Sequence, residues 1–407
     1  MGSIAYDLAD WAGALRPTPA DLELADRSLR DTVAVTLAAR DHPVAALAAG
    51  ALGPGGRWAA AGHVLDFDDL HMESTSHVSV VCVPAVLSAG GDARAYLAGA
   101  GVMARLGAAL GWAHYAAGWH ATCTAGALGA AAGASVALGL GVDATATALA
   151  LAVPGAGGVQ RAFGTDAKSL QVGFAVDAGV RAARLAAAGA GADLAAVDAW
   201  FALVGGVSPP DLADPGRGAI DLGGPAVPGG LAIKVYPCCY ALQRPISALA
   251  SLRDRLDPAA VDRIVLRTPE ATVAPLIHHR PETGLQAKFS LEYAAATALL
   301  DPYSGFEAFT DAAARRPAAR ELVSRVEVEL SPGGDGLLAG SLEAEVRTGT
   351  QTLRVSQQLP PGSPARPPTG AELQAKIDDC TAGLDIGPVT WSTAADVLRT
   401  HLPEGPA

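Results

Sequence analysis

The segment His63–Ser79, HVLDFDDLHMESTSHVS, sets three aspartates (Asp66, Asp68, Asp69) among three histidines (His63, His71, His77), a third of the nine histidines in the chain. Carboxylates and imidazoles at this density suit proton transfer, metal binding or a polar hinge between helices. Histidine is the side chain whose ordinary pKa lies near neutrality, so it can take or give a proton there. The plain alternative is an exposed acidic loop. Further along, His114 and His120 lead into an Ala/Gly-rich stretch. Two of only four lysines, Lys168 and Lys234, stand in FGTDAK (163–168) and IKVYPCC (233–239).

The elements that must carry these residues are mostly helices in the first half. Leu8, Trp11 and Leu15 recur at helical spacing. Thr18-Pro19-Ala20-Asp21 reads as an N-cap, a first-turn proline and a capping-box acid, followed by the stripe Leu22, Ala25, Leu29, Val33, Leu37. A helix is expected over about 93–110 after the Gly90-Gly91-Asp92 break, with Asp143 capping another over 144–153. Helix follows helix to about residue 202. After the Gly/Pro-rich tract 205–230 the pattern alternates in RIVLRT (263–268), RVEVEL (325–330), EAEVR (343–347) and TLRV (352–355), the last two forming a hairpin. Helices over 240–254 and 290–301 sit among these strands. The fold class expected is mainly α: a large all-α helical domain over 1–227, a smaller α+β lid domain over 228–365, and helices in 366–407 returning to the first domain.

Composition narrows the function. With 17% charged and 50% hydrophobic residues over 407 positions, the chain is globular and long enough for about two domains. A net charge of −12 with no Lys/Arg-rich run argues against nucleic acid as a partner. Five cysteines without regular spacing fit a reducing compartment, and the absence of CxxC and HExxH removes sequence support for structural zinc. No basic and apolar leader opens the chain, so a cytoplasmic location is expected. The uncharged stretch 125–142 is mostly Ala and Gly, which favours a buried helix hairpin over a membrane span.

Five motifs then line up in order: LDFDD at 65–69 with His77, GWHATCTAG at 118–126, FGTDAK, IKVYPCC, and TGLQAKFSLEY at 283–293. Together, over about residues 20–360, they resemble the MmgE/PrpD family, which includes 2-methylcitrate dehydratase and cis-aconitate decarboxylase. The resemblance implies a helical domain with a smaller lid, a homodimer, and action on small carboxylates without metal or organic cofactor. Carried over residue by residue, it implies Asp66, His77, His120, Lys168 and Tyr293 as catalytic residues. Lys234, Asp69, Leu70, Gln171, Phe174 and Gln243 are implied at the substrate. The chemistry agrees: eliminating a β-hydroxy acid needs a base and an acid, and placed lysines can stabilise an enolate-like transition state. Each residue also has a structural reading. His120 can be a satisfied core histidine and Tyr293 a core aromatic; Asp68 and Asp69 can cap a helix; Cys238 and Cys239 can be small buried hydrophobes.

The chain departs from the family pattern at the rim. Leu70 stands where threonine is usual, Val78 for proline, Gln171 and Gln243 for histidines, and Phe174 for arginine. If these positions face the ligand, each lost charge-assisted contact weakens tricarboxylate binding by about 1.5–3 kcal/mol. The expected activity is therefore a cofactor-independent dehydratase acting on a less acidic or more apolar β-hydroxy carboxylate, in a bacterial biosynthetic pathway. Two alternatives stay open: an isomerase, epimerase or cyclase with the same proton chemistry, and a catalytically reduced binding or scaffold homologue.

Overall fold

The computed structural model describes residues 3–205, 220–273, 275–333, 339–349 and 351–403. It divides into two compact units, residues 1–232 with 381–407 and residues 233–380. The chain is mainly α with a smaller α+β region. Of the tract 205–230, residues 206–219 lie outside the described residues.

The first unit is helical: α1 (Ile4–Ala14), α2 (Pro19–Ala38), α3 (Pro43–Ala49), α4 (Pro54–Val64), α5 (Ser79–Ser88), α6 (Ala93–Ala116), α7 (Ala121–Ala137), α8 (Val142–Ala152), α9 (Ala167–Ala187) and α10 (Ala195–Gly205). Local signals account for the starts. Thr18 accepts from the Asp21 backbone N–H, while the Asp21 carboxylate accepts from that of Thr18, closing the expected box around Pro19. Asp92 caps α6, whose path breaks at Gly111 (φ 62°), so its straight part ends at Leu110 as the spacing predicts. Asp143 does not cap α8. Gly141 is the N-cap, and Asp143 sits in the first turn, where a negative charge still complements the helix dipole.

α7 runs through the middle of this unit, buried along Ala121–Ser135, and small residues let its neighbours approach it backbone to backbone. On α9, a Cβ at Gly179 would meet the Ala127 carbonyl oxygen of α7 at 2.5 Å, and one at Gly173 would meet the Gly56 carbonyl oxygen of α4 at 2.7 Å. No real Cβ fits there, so α9 is held tightly against both α7 and α4. Among the described residues, no helix is long and apolar enough to cross a membrane.

The second unit holds α11 (Gln243–Ala250), α12 (Gly284–Ala287), α13 (Leu291–Leu300), α14 (Asp311–Arg315), α15 (Pro317–Ser324) and α16 (Gly370–Cys380). Its sheet has the order β2-β1-β3-β4. The strands are β1 (Val261–Pro269), β2 (Val326–Ser331), β3 (Leu342–Thr348) and β4 (Thr352–Gln357). β1 pairs parallel with β2 and antiparallel with β3, and β3–β4 is the expected hairpin, with residue 350 of its turn outside the described residues. The alternation in β1 and β2 has a visible cause. Ile264 and Leu266 go into the core, while Arg263 and Arg267 lie on the open face and bond Glu327 and Glu329 at 2.7 and 2.6 Å. Of the C-terminal residues expected to return to the first domain, only 381–407 do so, including α17 (Ala394–His401), whose Ala394 and Leu398 join the first core. The helix α16 belongs to the second unit.

Candidate active site

α4 ends at Val64, and the chain turns through Leu65 into Asp66, which adopts a left-handed backbone (φ 54°). Aspartate is among the few non-glycine residues that visit this region, at a cost of about 1–3 kcal/mol that surrounding contacts must offset. After this turn the three aspartates reach three different sets of partners.

Asp69 is buried, accepts the Ser79 backbone N–H at 3.1 Å, and also takes the Ser79 hydroxyl. It thus satisfies a first-turn amide of α5. Burial pushes its carboxyl up. Both of its oxygens are bonded to Ser79, the arrangement of the helix-capping alternative.

Asp68 does something else. Its Oδ2 lies 2.7 Å from His63 Nδ1 and 3.1 Å from His77 Nδ1, the latter off the line of a good hydrogen bond. Burial alone would raise its carboxyl, but the two imidazoles outweigh burial and hold it well below the usual carboxylate range. His63, wholly buried at the end of α4, is pushed down to about 4 by burial, which outweighs the attraction of Asp68. An anionic Asp68 between two imidazoles is the result.

Asp66 completes a string. Its Oδ1 accepts from Lys168 Nζ at 3.0 Å and lies 3.9 Å from His77 Nε2. Lys168 stands in the first turn of α9, just past the Gly164 turn of FGTDAK. Read in order, Lys168, Asp66, His77, Asp68 and His63 alternate positive or neutral base with carboxylate. The backbone N–H of His77 donates to Thr122 Oγ1 at 3.1 Å, tying the string to the first turn of α7. His120, the N-cap of α7, sits beside it with its ring centroid 5.6 Å from that of His63. Burial and the nearby His63, His77 and Lys168 push its imidazole down to about 2, so it is neutral. Phe163 packs edge-on against His120 at 4.9 Å and lies under Lys168 Nζ at 5.6 Å.

The donor atoms of His63, Asp68 and His77 lie within 4.8 Å of one another, so this group could hold a metal ion. Against a dication stands the positive charge of Lys168, which already disfavours protonation of both His63 and His120.

The site lies inside a family match. The MmgE/PrpD N-terminal domain matches residues 57–210, and the MmgE/PrpD C-terminal domain matches residues 236–385. The chain belongs to the MmgE/PrpD family. No curated protein matches it significantly.

Within this MmgE/PrpD chain, the first match contains the whole string from His63 to Lys168 together with His120 and Gln171. Gln171, one turn after Lys168 on α9, bonds His120 Nδ1 at 2.7 Å and the backbone of Val159. It is a partner of a histidine. Phe174 is 54% exposed on α9. Leu70 pairs through its main chain with Ala232 in both directions, its side chain half-buried. His71 and His114 are structural: His71 bonds Ser74 and the Pro228 carbonyl, and His114 bonds Thr124 and the Val204 carbonyl.

The remaining expected residues belong to the second unit. Lys234 is buried there. Gln243 is wholly buried; its Oε1 accepts the backbone N–H groups of Val235 and Tyr236 at 2.9 and 3.0 Å, and its amide donates to the Tyr236 carbonyl. It clamps the loop that follows Lys234. Tyr293 is wholly buried in the core beside Phe309, and its hydroxyl donates to the Ala308 carbonyl at 2.5 Å. Burial pushes that phenol up to about 12. This is the setting of the core-aromatic alternative.

Sequence reasoning passed over His63, Asp68 and Phe163 as site residues. Their signal was the density of His and Asp in 63–79 and the first letter of FGTDAK. What it lacked was the partner assignment, which only the three-dimensional arrangement supplies.

Proposed function

We propose that this MmgE/PrpD chain is a cofactor-independent hydro-lyase that removes a proton beside a substrate carboxylate. The observation that carries the reading is Asp68 behind His77. An anionic carboxylate at Nδ1 favours a proton on that nitrogen, leaves the Nε2 lone pair as base, and stabilises the imidazolium that forms. Lys168 supplies positive charge for the substrate carboxylate and for the enolate-like charge that develops as the proton leaves. The Cα–H bond breaks toward His77 Nε2, a Cα–Cβ double bond forms, and the β-hydroxyl departs with the proton that His77 has taken, giving water and an α,β-unsaturated acid. His77 is returned to its starting state.

The preferred substrate in this reading is a β-hydroxy acid with apolar surface near its reacting carbons, because Phe163 forms an apolar wall against His120 and Lys168. The lost-cation argument no longer supports this at Gln243, which is bound to its own backbone. A bacterial biosynthetic role, a homodimer and a cytoplasmic setting with reduced cysteines belong to the same proposal.

The test is mass-resolved turnover on 2-methylcitrate, citrate, cis-aconitate and monocarboxylic β-hydroxy acids with apolar tails. Loss of water from a tailed acid supports the reading. Loss of carbon dioxide makes it a decarboxylase, an isomeric product makes it an isomerase, and no turnover with a stable partner in the native host makes it a scaffold.

A further inference from the structure

Resting on the proton-transfer reading above, we infer that Gln171 is a positioning residue that locks His120 into one tautomer, with the proton on Nε2, so that His120 acts as a neutral hydrogen-bond donor and not as the base. The assignment follows from which atoms can only donate. The Val159 backbone N–H faces Gln171 at 3.1 Å, so the amide atom there must be the oxygen. The Gln171 NH2 therefore points the other way, to His120 Nδ1 at 2.7 Å and the Val159 carbonyl at 3.3 Å. A donor facing Nδ1 requires a lone pair on Nδ1. A neutral ring then carries its proton on Nε2.

The frame that aims Gln171 is held by backbone hydrogen bonds. The His120 backbone N–H donates to the Gly158 carbonyl and the Gln160 N–H to the Gly118 carbonyl, so segment 158–160 is laced to the residues before α7. Cys123 Sγ also lies 3.3 Å from His120 Nδ1, on the same side as Gln171. The charged and titratable groups around the ring are His63 from α4, Asp68 and His77 from the turn, Lys168 from α9, and Cys123 from α7 itself. The carboxylate among them, Asp68, is engaged by His63 and His77.

The functional consequence is a division of labour between two histidines. His77, backed by Asp68, offers a lone pair. His120, backed by an amide, offers an N–H to a carbonyl or carboxylate oxygen on which charge develops, where a fixed donor contributes most. A histidine at position 171 could face Nδ1 with either a lone pair or an N–H, so it would leave the tautomer open. Glutamine, with its oxygen taken by Val159, does not.

The full chain labelled with 15N in its histidine rings tests this without any substrate. The His120 signals are assigned by their loss in His120→Gln. The expected result is a proton on Nε2, an unprotonated Nδ1, and no titration between pH 5 and 8. In Gln171→Glu the carboxylate should draw the proton to Nδ1 and bring the ring's titration into that range. A proton on Nδ1 in the parent chain, an even mixture of tautomers, or unchanged His120 signals in a folded Gln171→Glu variant would overturn the inference. Since the readout needs no turnover, an inactive substrate panel sinks the hydro-lyase reading and leaves the tautomer result standing on its own.

Discussion

His63 Nδ1 lies 2.7 Å from Asp68 Oδ2, with neither side chain reaching solvent. A carboxylate buried this deeply is held ionised by the two imidazoles facing it, His63 through a hydrogen bond and His77 through its proximity. Asp68→Asn keeps the shape and removes the charge. It should lower kcat by about 100- to 10,000-fold, the usual weight of a general base, and cost about 1–3 kcal/mol of stability. Steady-state kinetics with denaturant unfolding checks both; a folded, fully active Asp68→Asn protein would remove His77 from the role of base.

The buried histidines give acidification a defined sign. His63 titrates near 4 and His120 near 2 in the folded chain, while an unfolded histidine titrates near 6.5. Below 6.5 the unfolded chain therefore holds more protons, so stability present at neutral pH is lost as pH falls, by up to about 1.4 kcal/mol per pH unit for each residue. For His63 the loss ends near pH 4; for His120 it continues below. Asp68, depressed from 3.8, adds its own loss at lower pH still. Urea unfolding at pH 7, 6, 5 and 4 should show a falling midpoint, with a shallower fall in His63→Gln. A flat profile would mean these rings are not held neutral.

Lys168 should matter for turnover far more than for folding. Its partner Asp66 is partly exposed, and an ion pair of that kind contributes about 0–1 kcal/mol. Lys168→Ala should leave the thermal midpoint nearly unchanged and lower kcat/KM by about 10- to 150-fold, the value of one charge-assisted contact. An equal loss of stability and activity would assign Lys168 a structural role instead.

Tyr293→Phe is expected to behave in the opposite way. Losing the hydrogen bond to the Ala308 carbonyl leaves a buried acceptor unpaired and costs about 1–3 kcal/mol, while turnover stays within a few-fold of the parent. A collapse of kcat with unchanged stability would restore Tyr293 to the catalytic set.

Chelation separates proton sharing from metal binding at His63, Asp68 and His77. With Lys168 nearby and Asp68 already shared by both imidazoles, activity should survive exhaustive EDTA treatment. Loss of activity restored by a divalent ion would assign the cluster to a metal.

The fold was legible because its signals are local. The Thr18–Asp21 box, the four alternating segments and the β3–β4 hairpin can each be read from a few adjacent residues, and each forms where expected. The site was legible as a set of residue types and less so as a set of partnerships. Asp66, Asp68 and Asp69 look alike in LDFDD, yet one bonds a lysine, one two histidines and one a helix start. That sorting depends on the three-dimensional course of the turn, which includes a left-handed backbone at Asp66. Gln171 and Gln243 have partners that the sequence does not reveal, for a related reason. An amide in place of a histidine looks like a lost cation in one dimension, whereas its two ends can bind a neighbouring side chain or the main chain in three.

The glycine contacts of α9 bear on how such a protein can change over generations. Lys168 and Gln171 ride on α9, His120 opens α7 and His63 closes α4, and these three helices meet where Gly173 and Gly179 leave no room for a methyl group. Their spacing is set by backbone contact at these glycines. Libraries aimed at new substrates should therefore return winners at side chains such as Phe163 and Leu70, and almost none at positions 173 and 179, where even alanine would force the helices apart.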